Sequence, residues 1–63
     1  MSQHTKGDIL PIYQKPITKE QYEGHARLEE FLGHDEGLER WLVRFVIDGQ
    51  MGGYEEQAYE RLL

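Results

Sequence analysis

The chain has no cysteine among its 63 residues, which excludes disulfides and thiolate metal ligands. Hydroxyl nucleophiles are nearly missing as well: Ser2 is the lone serine, and Thr5 and Thr18 are the two threonines. Covalent catalysis needs a nucleophile with a base to activate it, so the chain reads as a non-enzyme. There is no HExxH, CxxC, EF-hand or P-loop pattern. His25 and Glu29 lie four apart without converging ligands, so neither a metal nor another cofactor is expected. Long apolar runs are absent too. The longest are of the length of Phe45-Val46-Ile47, far short of the ~18 residues that span a bilayer. Residues 1–8 are polar and lack the apolar stretch of a secretory signal. The expected location is the cytoplasm, of a bacterium or of an infected host cell, with no membrane partner.

Positive charge is scarce. Twelve acidic residues face seven basic ones, a net charge of −5. Nucleic-acid binders cluster Lys and Arg on one face; only Lys6, Lys15 and Lys19 could form such a group here, so no direct nucleic-acid contact is expected.

The patterning that is present reads as an all-α fold: a small three-helix domain with an extended, Pro-containing N-terminal arm. Residues 1–8 form a flexible tail, and residues 9–63 a single small helical domain. Pro11 and Pro16 push Leu10 and Lys15 into extended conformations, which gives the arm over 9–17. Thr18 and Gln21 have the spacing of a capping box, and Ile17 and Tyr22 that of a hydrophobic staple, so a first helix is predicted over about 19–32, stopped by Gly33. Asp35 is a good N-cap. Leu38, Trp41, Leu42, Phe45 and Val46 then fall at i, i+3, i+4, i+7 and i+8, an amphipathic stripe. A second helix is predicted to end at Gly49. Gln50 to Gly53 form a turn, and a third helix runs from about Tyr54 to Leu63, where its last turn should fray.

Val43 and Ile47 lie outside the stripe, so the second helix is apolar over most of its circumference and needs neighbours on several sides. A chain this small cannot cover it, and each large side chain left bare forfeits about 1.5–3 kcal/mol. A second chain is therefore expected. The function expected is a small acidic protein-binding inhibitor or adaptor that occludes a partner surface. The partner is another protein, including a basic nucleic-acid-binding one; the alternative is a homodimeric regulatory or antitoxin-like module. Partner contacts are assigned to Glu36, Glu39, Tyr54, Glu55, Glu56, Tyr59 and Glu60. They combine carboxylates, which imitate a phosphate backbone, with tyrosines, which are enriched at interfaces.

Two local resemblances accompany this reading. Lys15-Pro16-Ile17-Thr18-Lys19-Glu20-Gln21-Tyr22 through Leu28-Glu29-Glu30-Phe31-Leu32 resembles the lead-in helix of antitoxins from host-inhibition toxin–antitoxin pairs. Met51-Gly52-Gly53-Tyr54 is similar to the Met-Gly-aromatic loop of ubiquitin-associated domains. In general character the chain also resembles phage-encoded inhibitors of host machinery, anti-CRISPR proteins among them. That likeness implies an anti-defence role.

Overall fold

The computed structural model describes residues 3–47 and 53–63 and contains no helix among them. The chain forms one four-stranded antiparallel sheet in the order β1-β2-β3-β4, built from β1 (Ile9–Lys15), β2 (Glu20–Asp35), β3 (Leu38–Phe45) and β4 (Tyr59–Leu62). The three-helix expectation is therefore overturned, and with it both helical resemblances. The predicted first helix is β2 and the second is β3. The third gives β4, preceded by the isolated bridge Val46↔Tyr54. The expected stop at Gly49 and the turn at 50–52 lie outside the described residues.

The physical reason is clearest in β3. Glu39, Trp41, Val43 and Phe45 are all buried and alternate along one face. Leu38, Leu42 and Val46 fall on the other face, so apolar residues occur on both and satisfy a helical period as well as a period of two. The β-branched and aromatic content of this run favours the pleated form.

Between β2 and β3 the two-residue loop Glu36-Gly37 has φ of 50° and 82°. Positive φ at both central positions is what a type I′ hairpin requires, so Asp35 ends a strand and does not cap a helix. Thr18 does not cap one either: its hydroxyl donates to Glu20 Oε2 at 2.9 Å, while Lys19 and Gln21 take φ of 56° and 60°.

β2 cannot be straight. Its 16 residues would span roughly 53 Å at about 3.3 Å each, yet the longest dimension of the molecule is 35 Å. Three bulges bend it. Glu23 has no opposite residue on β1, and Glu29 and Leu32 have none on β3. Bulges kink a strand and increase its twist. The first half of β2 pairs with β1 and the second half with β3, so the bend curls the sheet around one core. Ile12, Ala26, Leu28, Trp41, Val43 and Phe45 are buried there, with Leu10, Tyr59 and Leu63 packed against them from both edge strands.

Residues 3–8 are tied to this sheet: Gly7 N donates to Leu28 O and Leu28 N to Asp8 O, each at 2.8 Å. The Pro-bounded segment is extended as expected, but as a strand of the sheet and not as an arm over helices. With Asp8 and Leu28 bonded, the antiparallel alternation places Pro11 with its backbone nitrogen toward the open edge. The missing N–H is thus where a further strand would have needed it, a common protection of edge strands. No helix among the described residues is long and apolar enough to cross a membrane.

Candidate functional site

The curl leaves a groove of about 740 Å³ between the first half of β2, the end of β3 and strand β4. Its walls carry Tyr22, Phe45 and Tyr59, and its charged groups are Glu23, Glu55 and Arg61. Gly24 forms part of the lining with φ of +134°, and a Cβ there would come 3.6 Å from the Phe45 ring. An L side chain rarely adopts that φ, so glycine permits the turn of β2 that brings Glu23 over β4.

Arg61 on β4 meets Glu23 on β2 in a two-pronged ion pair, Nε to Oε1 at 2.8 Å and Nη2 to Oε2 at 3.1 Å. Its guanidinium carbon lies 5.4 Å from the Tyr59 ring centre and 5.7 Å from that of Phe45. The Tyr59 and Phe45 rings are themselves tilted together at 5.9 Å. On the rim, the Tyr22 hydroxyl is 2.5 Å from His25 Nδ1. Hydrogen bonds from Arg61 hold the Glu23 carboxyl below the usual carboxylate range; burial opposes them, while the charge of Arg61 and a bond from Gln14 assist. Glu55 is placed by its backbone, whose N–H donates to Phe45 O at 2.8 Å. Its carboxylate has no partner among the described residues. Two carboxylates against one guanidinium leave the groove with a net charge of −1.

Two other polar clusters are structural. On the outer face Arg27 and Arg44 lie opposite each other across β2 and β3. Glu29 Oε1 accepts from both, at 2.9 Å each, which offsets the repulsion of like charges directly opposite. Arg27 also stacks 4.4 Å from the centre of the Tyr54 ring, and Arg44 Nη1 donates to the carbonyls of Glu55 and Glu56. On the inner face Glu39 is 5% exposed. It accepts from Trp41 Nε1 at 2.8 Å and from the Gln3 amide. No three His, Asp or Glu side chains among the described residues converge as metal ligands do.

The residues assigned to partner contact from sequence are dispersed. Glu55 and Tyr59 line the groove. Glu36 is exposed at the tip of the β2–β3 hairpin. Glu56 is exposed, and Glu60 lies on the outer face of β4, 3.9 Å from Arg40. Tyr54 is covered on one side by Arg27. Glu39 is withdrawn from any surface, because the inner face of β3 buries it against Trp41. Glu29, four residues from His25 in the chain, bridges two arginines. Sequence reasoning missed Tyr22, Glu23, His25, Phe45 and Arg61. The one available signal was Gly24, since a glycine inside a strand marks a bulge or a close backbone approach.

Comparison with protein-family models, with curated proteins and with solved structures finds no match for this chain.

Proposed function

We propose that this chain is a small protein-binding inhibitor or adaptor, acting in the cytoplasm, that covers a basic surface of its partner without contacting nucleic acid itself. The observation that carries the reading is the groove: a concave, net-negative site with three aromatic side chains in its walls. Its volume falls within the range of about 300–1,000 Å³ typical of ligand sites. A cation over an aromatic face gains roughly 0.5–2 kcal/mol, and Glu55 supplies a carboxylate at the same place. The overall charge of −5 steers a basic partner toward it. Tyr22 in the groove wall is 55% exposed.

The test is a titration of the isotope-labelled chain, followed by NMR, with acetyl-hexaarginine amide and acetyl-hexalysine amide at low and high salt. Shifts should concentrate at Tyr22 to His25, Phe45, Glu55, Tyr59 and Arg61, shrink at high salt, and weaken in Glu55→Gln. Shifts confined to other faces, or none, would reject the reading. A stable dimer by light scattering that ignores both peptides would favour self-association instead.

A further inference from the structure

The groove already holds a guanidinium. Arg61 places its planar fork on both oxygens of Glu23 and lies over the Phe45 and Tyr59 rings. Resting on the proposed binding role, we infer that this is an arginine-selective site with Arg61 as its resident occupant, which leaves when an arginine side chain of the partner enters.

Three features support the exchange. The first is shape: an ammonium is a point donor and cannot reproduce the two parallel bonds to Glu23, whereas a second guanidinium can. The second is access. The Arg61 side chain is 29% exposed and that of Glu23 17%, so the pair borders the groove and is not sealed in the core. A pair with this access to solvent can exchange one guanidinium for another without first unsealing a buried charge. The third is charge count. The groove has two carboxylates, Glu23 and Glu55, for one guanidinium. When an arginine enters, two cations match two anions. Arg61 can then leave Glu23 without either cation losing a carboxylate in the same groove. The bidentate pair that joins strands β2 and β4 thus stands in the lining of a groove of about 740 Å³.

The experiment compares the full chain with Arg61→Met, which keeps the apolar stem but removes the competing fork, and with Arg61→Lys, which keeps the charge. A native-like NMR spectrum of either variant is the folding control. Acetyl-hexaarginine amide should bind Arg61→Met about five-fold or more tightly than the native chain, with Arg61→Lys between them. Acetyl-hexalysine amide should bind each less well, and Glu23→Gln should remove the preference for arginine. Unchanged or weaker hexaarginine binding by both Arg61 variants, with Glu55→Gln still lowering it, would overturn the exchange and leave the binding role intact. If neither peptide binds the native chain or Arg61→Met, both ideas fail.

Discussion

Glu23 receives both prongs of the Arg61 guanidinium, at 2.8 and 3.1 Å, although 38 positions separate them in the chain. The contact exists because Glu23 is a bulge residue with no opposite number on β1. A bulge re-aims its side chain. Here it directs a carboxylate from β2 across the curled sheet to β4. Glu29, a second bulge residue, does the same for Arg27 and Arg44 on the outer face. Two of the three bulges in β2 therefore place the carboxylates that tie the curl together.

The Glu23–Arg61 tie should contribute about 1 kcal/mol, near the upper end for pairs with solvent access, because it is bidentate. Urea unfolding of Glu23→Gln, Arg61→Met and the double variant forms the relevant cycle. A coupling energy near zero would show that the contact contributes nothing to the fold.

The hairpin turn offers a gain in stability. Glu36 has φ of 50° and precedes Gly37 at 82°. Type I′ turns favour Asn-Gly at these positions, and a non-glycine residue with φ above zero is comfortable mainly as Asn or Asp. Glu36→Asn should therefore stabilise the domain by about 0.5–1 kcal/mol, seen as a higher urea midpoint with an unchanged slope. The outcome is independent of the binding role, since Glu36 is remote from the groove lining.

Gly24 and Gly33 have nearly the same backbone, φ of +134° and +133°. Their surroundings differ: a Cβ at Gly24 meets Phe45 at 3.6 Å, an ordinary contact, and one at Gly33 meets nothing within 4 Å. Strain is thus the shared cost and crowding a small addition. Both alanine variants should lose about 1–3 kcal/mol and by similar amounts. A loss confined to Gly24→Ala would show that packing on Phe45, and not the backbone, sets the requirement.

These particulars explain what could be read in advance. The extended character of residues 9–15 was legible, because Pro11 and Pro16 act locally on the backbone. The strand nature of β3 was hidden by its own success as a core strand. With Trp41, Val43 and Phe45 inward and Leu38, Leu42 and Val46 outward, apolar side chains fall at nearly every spacing. A strand apolar on both faces cannot be told from a helix by periodicity. Gly33 suits a helix stop as well as a bend in a strand, and Asp35 suits a helix cap as well as the start of a hairpin turn, so neither residue type separates the two folds. At the site, Glu55 and Tyr59 were reachable from composition. Glu23 and Arg61 were not, because their meeting depends on where β2 bulges, a property of the whole sheet.

The buried carboxylate of Glu39 makes stability depend on pH. Burial alone raises its pKa, but the Trp41 indole N–H, the Gln3 amide and His4 together outweigh it and hold the group below its ordinary value. Glu23 and Glu29 are lowered as well, chiefly by hydrogen bonds from Arg61 and Arg27. In the unfolded chain all three titrate near the usual value of about 4.3. The native state then binds fewer protons than the unfolded one in that region, so stability rises with pH there. It is fully present above that value and lost as pH falls through the lowered native values. Unfolding midpoints, read by fluorescence of Trp41, should stay level from about pH 7 to 5 and drop below about pH 4. In Glu39→Gln, an amide NH₂ or carbonyl must replace the oxygens that accept from Trp41 and Gln3, and one of the two donors loses its acceptor. That variant should be less stable at neutral pH by about 1–3 kcal/mol, and its stability should fall less steeply on acidification. An unchanged acid slope in Glu39→Gln would assign the pH dependence to Glu23 and Glu29, and would leave Glu39 as an acceptor whose charge contributes nothing to folding.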